Sequence, residues 1–573
     1  MAIPIIFNHK YKVVLTLLFF CFCDICTYSQ TIIRNSQELE SYLKQDKEIG
    51  TLYLDGDIFQ IGSFETLAGG CIKPYRNRRP VLLRPYQTVK RTGNKITNGY
   101  WTAKVKGYGA HAYIFLDDGR NPIKYSSHVD GKDCMYILAK DINCYDRDSL
   151  LFKIKIPEGY DSLKKKNNGQ LKNCMIEASY WYRDISITYL HSDSIYLYGT
   201  IDSQYNYDLL KVRPYATIMM RFLNFPFQDG GIFLDGDDVL HIPEKYKEVH
   251  MCYSDVVLNL KGQRNFRIEN VTIDGSYQGV RIDGINKHIV NCTIKNCGDG
   301  VVGKSNRGFC SVINCNFSNL ICNSAITLSG QNVHIEGNRI TNTGIVNKGG
   351  AVIAANGKDF LIKNNNISSF TYNAIAIGGA RDSGVVDVSG RIVGNIIDNS
   401  ELYGVKWSQL DDGGGIYVWV HTDGVVIEDN IIRNLGYEGC DMWGIYLDDG
   451  AYNCTVRRNL VYNMWPGEYA LTSRYVESCE RSNINNIFED NIFIGACKIA
   501  GNRKGLGRKA IIRHNYICGE LETQGNEYIE QFGNKFVKAR VKADGKIQID
   551  RKSGVKKRNY TDDISKLISL INM

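Results

Sequence analysis

From about residue 250 onward, apolar and polar positions alternate in short runs, each closed by Asn or Gly. Alternation of this kind predicts strands, because successive side chains on a strand point to opposite faces. The runs also recur. Aligning their Asn-x-Ile-like steps puts Asn270, Cys292, Cys315, Asn338, Asn365, Asn395, Asn430, Asn459, Asn491 and Asn515 in one column, at spacings of 22, 23, 23, 27, 30, 35, 29, 32 and 24. A period near 22–24 is too short for helix-pair repeats. β-Branched alternation between Asn and Gly turns instead predicts an all-β chain folded as a right-handed parallel β-helix, with about three short strands per coil. Stacked coils bury their inward side chains, and a column of asparagines can hydrogen-bond the coils above and below.

Upstream the pattern changes. Asn35 can cap a short helix with Glu38 reaching back, and Leu39 and Leu43 share one face of it. Residues 51–54 then alternate as a strand. A helix covering the open end of the stack is one way to cap a repeat protein. Between about 80 and 240 no period is found, but strand-like runs at 101–105, 113–116, 186–189 and 194–198 predict a β-rich module, inserted or preceding. The resulting division is 1–29 leader, 30–80 cap and first coils, 81–245 accessory module, 246–525 β-helix and 526–573 basic tail. A short amphipathic helix at 562–570 is expected to close the far end.

Composition alters this picture only at its edges. Residues 8–29 read as a secretory signal, with His9, Lys10 and Lys12 before an apolar segment and a small-x-small site cut after Ser29, so the chain is expected to be secreted or periplasmic. No later apolar run reaches the ~18 residues of a membrane span. Eighteen cysteines, three of them in the leader, leave an odd fifteen at wide spacings, which argues for buried thiols rather than a disulfide framework. The net charge of +8 leans weakly toward acidic polymers, and no nucleic-acid motif accompanies it. Oligomeric state is not encoded legibly.

Candidate chemistry concentrates in residues 411–449. Coils between Asn365 and Asn491 are the longest, and loops inserted on successive coils can wall a cleft. Gly-Ile-Tyr occurs at 415–417 and again at 444–446, and Trp407, Trp419, Trp443 and Trp465 fall in or beside the region. Alternation turns Ile416, Val418 and Val420 inward and Tyr417, Trp419 and His421 outward; Ile445 and Leu447 turn inward and Tyr446 and Asp448 outward. Stacking the two motifs sets Tyr417 over Tyr446, Trp419 over Asp448 and Asp412 over Asp441, with coils ~4.8 Å apart. Glycosidic hydrolysis needs one carboxyl to protonate the leaving oxygen and another to act as nucleophile or base. Asp448, beside an indole, suits the acid and Asp412 its partner. A straight strand would hold the two ~23 Å apart, so either glycines 413–415 fold back or the pair includes Asp441 or Asp449. Asp411, Tyr417, Trp419, His421, Asp441, Trp443, Tyr446 and Trp465 are the candidate substrate contacts, with Glu438 and Tyr469 of lower weight. No cofactor is required, although the carboxylates also suit Ca2+, and no transition-metal site is expected. As turn formers, Asp411-Asp412-Gly413 and Asp448-Asp449-Gly450 have a purely structural reading as well.

The motifs Asp-Gly-Gly-Gly-Ile-Tyr at 412–417 and Gly-Ile-Tyr-Leu-Asp-Asp-Gly at 444–450 resemble those of secreted right-handed β-helix glycosidases, most closely glycoside hydrolase family 141, with fucosidase and xylanase activities, and more distantly the β-xylosidases of family 120. Looser matches at 101–105, 114–119, 231–236 and 241–243 extend the resemblance over most of the chain. It implies catalysis by aspartates of the two Asp-Gly motifs, carried here to Asp412 and Asp448, with Asp449 as substitute, on a poly- or oligosaccharide. Two rivals remain: a polysaccharide lyase of the same architecture, for which Lys304-Ser305-Asn306 is a faint match, and a non-catalytic glycan-binding surface protein.

Overall fold

The computed structural model describes residues 30–104 and 256–536 with short gaps, and separate strands within 113–252 and 538–560. The leader at 8–29 and the helix at 562–570 lie outside the described residues. So do Trp407, Asp411, Asp412, His421 and Glu438. Among the described residues no helix is long and apolar enough to cross a membrane.

The chain is a parallel β-helix. One sheet stacks fourteen strands from Gln30–Ile33 to Ile529–Phe532, and a branched set of 23 strands supplies the remaining faces of the coils. One coil runs Val426–Glu428, Ile431–Leu435, Met442–Leu447 before Thr455–Arg457 begins the next. Inward positions form one continuous apolar column, from Ile33 and Leu39 at one end to Ile512 and Ile529 at the other. The short helix Ser36–Leu43 has the expected cap: Asn35 Oδ1 accepts from the Glu38 N–H at 2.9 Å. Glu38 reaches one residue further back than the usual box, to the Arg34 N–H at 2.7 Å. Leu39 and Leu43 are fully buried.

The asparagine column is a hydrogen-bond ladder. Asn395 Oδ1 accepts both the backbone N–H and the Nδ2 of Asn365 at 2.9 Å. Its own N–H and Nδ2 donate to Asn430 Oδ1 at 2.9 and 3.0 Å, and Nδ2 also reaches Ile362 O at 3.1 Å. The pattern repeats through Asn430, Asn459, Asn491 and Asn515 and continues to Asn534. Each member satisfies a backbone donor that the bend would otherwise leave buried and unpaired. Cys315 N–H joins at Asn338 Oδ1, and Cys292 N–H points at Cys315 Sγ, so both thiols are buried fillers of the same column.

Two sequence expectations shift here. Asn270 is not a ladder member: Phe266 pairs with Lys287, an offset of 21, which puts Val271 level with Cys292 and Asn270 level with Asn291. Asn270 instead holds the left-handed turn preceding the column (φ 55°), as Asn291, Asn314 and Asn364 do, a conformation Asn tolerates better than most residues. The repeat also persists beyond 525, since Ile529–Phe532 and Lys535–Phe536 still pair in parallel with the preceding coil.

The β-rich segment is an insertion. Phe64–Thr66 pairs with Val256–Gly262, and Val81–Leu83 with Thr272–Gly284, so coils on either side of the segment are neighbours in the stack. Between them the described strands form antiparallel sheets, the largest of seven strands spanning Met135–Leu138 to Thr217–Phe222.

On the fourteen-stranded sheet, Glu428 is buried beneath Arg391, Arg457 and Arg458, its side chain 2% exposed. Burial alone would push its carboxyl up; the hydrogen bonds and charges of Arg391 and Arg457 outweigh this and draw it down to about 2.

Replacing Asn395 with Ala should orphan the Asn365 N–H and cost about 2–4 kcal/mol in urea unfolding; a loss below about 0.5 kcal/mol would contradict the ladder's role. Glu428→Gln should destabilise the fold at neutral pH by about 1–3 kcal/mol. A lowered folded-state pKa stabilises above the ordinary value of 4.5, so the gap between variant and parent should close as pH falls from there toward 2.

Candidate functional site

Register builds the site. Gly413–Val418 lies in parallel against Met442–Leu447, with Ile416 opposite Ile445 and Tyr417 opposite Tyr446, the offset of 29 that the two Gly-Ile-Tyr copies imply. Ile416, Val418, Ile445 and Leu447 are fully buried in the interior, which turns the alternate residues to the outer face. One residue past the strands, the Trp419, Asp448 and Arg474 N–H groups donate to Ile377, Val418 and Leu447 carbonyls of successive coils. Trp419, Asp448 and Arg474 therefore form one row across three coils.

Asp448 is the centre of that row. It is only 7% exposed. Its Oδ2 accepts from the Tyr417 O–H at 2.7 Å, and its Oδ1 is buried with no hydrogen-bond partner among the described residues. Burial first, and then the Asp448 charge, raise the Tyr417 phenol well above its ordinary pKa, so it remains a donor. Tyr417 lies nearly parallel to Trp419, centroids 6.3 Å apart. The backbone turns here: Ala451 N–H returns to Asp448 O at 3.2 Å with Gly450 at φ 76°, so the Asp-Asp-Gly motif is a turn as well as a carboxylate source. Ser482 braces it, its Oγ accepting from Gly450 N–H at 3.3 Å and donating to Arg474 O at 3.1 Å.

Tyr446 departs from its expected role as an open platform. It stands outside the apolar interior yet is 0% exposed, covered by Tyr417 at 5.0 Å and by the edge of Trp443 at 4.3 Å. Arg474 Nη1 reaches its hydroxyl at 3.5 Å. It supports the site from beneath. Trp443 and Trp419 are half-buried, Asp449 is buried beside Asp448, and Asp441 is exposed.

Glycines 413–415 do not fold the chain back. They run in the strand, with Gly413 opposite Met442 and its N–H on Asp441 O at 3.0 Å. Met442 precedes Asp448 by six residues, so about 20 Å of extended strand separates the level of Gly413 from Asp448. Asp441 is thus not brought to Asp448, whereas Asp449 adjoins it; Asp412 lies outside the described residues. Trp465 lies on the following coil, edge-on to Tyr403 at 5.5 Å. Among the described residues no group of three His, Cys, Asp or Glu side chains could hold a metal ion.

Sequence reasoning missed Arg474, Ser482 and Asn373, whose Oδ1 accepts the Gly414 N–H at 2.7 Å and so holds the glycine strand. It also missed Gly378, where a Cβ would collide with the Trp419 indole.

The fold defines the class as a parallel β-helix. One solved structure described as a glycoside hydrolase superposes with a TM-score of 0.50 at 10% identity, covering 85% of this chain and 89% of that one. The catalytic domain of a GH87 α-1,3-glucanase in complex with tetrasaccharides gives 0.31 at 10% identity over 77% and 100% of the two chains. The A-module of the mannuronan C-5 epimerase AlgE4 from Azotobacter vinelandii gives 0.26 at 13% identity over 50% and 84%. At these identities the likeness of the first is one of fold. No family model matches the chain, and no curated protein does.

Adding a methyl at Gly378 should displace Trp419. Gly378→Ala is expected to cost about 1–3 kcal/mol and to shift tryptophan emission; an unchanged spectrum and stability would contradict the packing described.

Proposed function

We propose that this chain is a glycoside hydrolase, cleaving a glycosidic bond of a poly- or oligosaccharide on the outer face at Asp448. The observation that carries this is the Asp448 carboxylate: one oxygen is held by Tyr417, whose ring lies nearly parallel to Trp419, and the other is buried without a partner among the described residues. A buried polar atom lacking a partner is costly and uncommon, and a substrate hydroxyl or a water aimed at the anomeric carbon would satisfy it. Tyr417 fixes the carboxylate's orientation and leaves the Oδ1 lone pairs for the reaction. Asp448 then serves as nucleophile or as the base that activates water. Its neighbour Asp449 is the second carboxyl, protonating the departing oxygen. This reverses the expectation of Asp448 as the acid. Trp419 offers a flat face for a sugar ring, and Arg474 borders the same row. Membership of family 141 and export behind the leader belong to this reading as its finer parts, and the reaction proposed requires no cofactor.

The lyase alternative has less support. A lyase needs its base beside the group that neutralises the uronate. Lys304 lies in the same outward row as Ser329, Asn356 and Trp419, but five coils from Asp448, roughly 24 Å at ~4.8 Å per coil.

A reducing-end assay over a panel of oligosaccharides is the test. Asp448→Asn should lower kcat about a thousandfold with the unfolding midpoint retained, and Tyr417→Phe about ten- to a hundredfold. A parent-like rate in Asp448→Asn, or unsaturated products absorbing in the ultraviolet, would overturn the proposal.

A further inference from the structure

The outward row of Tyr446 continues over three more coils as Thr472, Lys498 and Glu522. At about 4.8 Å per coil, Glu522 stands roughly 14 Å from Tyr446 along the stack. There a cleft of about 500 Å³ opens, lined in part by Trp465, Glu468, Tyr469, Ile494 and Glu522. Contacts join it to Asp448: Tyr417 touches Tyr446, Tyr446 meets Trp443, and the N–H of the adjacent Met442 donates to Glu468 Oε2 at 3.0 Å. The cleft and Asp448 lie along successive strands of one parallel sheet.

Its chemistry is specific. Trp465 and Tyr469 provide aromatic surface, and both are half-buried. Tyr469 O–H donates to Glu522 Oε1 at 2.9 Å. Burial, and then that hydrogen bond, raise the phenol's pKa, so it stays protonated. The ammonium of Lys498 lies 3.8 Å from Glu522 Oε2 and 5.6 Å over the Tyr469 ring, so this cation is already engaged. Two carboxylates beside aromatic rings accept hydrogen bonds from sugar hydroxyls. With Lys498 paired to Glu522 the group carries one net negative charge, centred on Glu468, and a uronate or sulfated sugar would bring in a second that like-charge repulsion opposes.

We propose that this cleft is a distal subsite for an uncharged sugar residue of the substrate, stacked on Trp465, with Glu468 and Glu522 excluding acidic sugars. The proposal rests on Asp448 as the reaction centre for its place along the chain of sugars, but the cleft's binding chemistry can be measured without catalysis. It also reverses the weak inference from net charge, because the local charge of the cleft, and not the +8 of the chain, meets the substrate.

The experiment is a binding survey of the full chain carrying Asp448→Asn against matched sets of neutral and uronate-containing oligosaccharides. Isothermal titration then follows for Trp465→Ala, and for Glu468→Gln and Glu522→Gln as near-isosteric variants that preserve the fold. Neutral oligosaccharides should bind in preference to acidic ones. Trp465→Ala should weaken that binding at least tenfold, and Glu468→Gln with Glu522→Gln should raise uronate binding measurably. Preference for acidic chains, no oligosaccharide bound at all, or affinity unchanged by both Trp465→Ala and the paired Gln variants would overturn the subsite. Binding as expected by a parent chain that hydrolyses nothing would remove the hydrolase reading while leaving the cleft intact.

Discussion

The structure depends on coils being held in register, and the Asn395 type of contact enforces it. Each ladder asparagine accepts the backbone N–H of one coil while donating to the next, so neither neighbour can slip without stranding a buried donor. A one-residue slip would also turn the apolar column outward. Register is therefore specified twice, by polar satisfaction at the bend and by burial along the strands.

Function is a by-product of that register. Because inward isoleucines stack on isoleucines, outward residues from distant sequence positions fall into rows: Trp419, Asp448 and Arg474 in one, Tyr417, Tyr446 and Lys498 in another. The Asp-Asp-Gly turn begins at Asp448, just past the strand end, where Tyr417 reaches one oxygen. A rigid solenoid fixes these side chains more tightly than a loop could. Glycine at 378 leaves the room that the indole of Trp419 occupies.

Some of this could be read from the chain. The pairing of Tyr417 with Tyr446 was legible because a repeated Gly-Ile-Tyr leaves one register in which both isoleucines face inward. The ladder was legible from its spacings, except at Asn270, where an Asn-x-Ile step fits equally a left-handed turn residue and a ladder residue; Val271 holds the ladder position. Arg474 escaped notice because the offset drops from 29 to 26 between these coils and no motif copy marks it. Whether the three glycines 413–415 bend or extend is a choice local composition leaves open and strand pairing decides. Whether the β-rich segment precedes or interrupts the stack depended on pairings almost two hundred residues apart.

The central claim is that a sugar chain lies along this face with its reactive linkage at Asp448. A crystal structure of the Asp448→Asn protein with a bound oligosaccharide tests it most directly. The account predicts a ring stacked on Trp419 and an anomeric carbon, or the water poised to attack it, within about 3–3.5 Å of the free oxygen of residue 448. A sugar chain bound on the fourteen-stranded sheet, or on the antiparallel insertion, with residue 448 untouched, would contradict it.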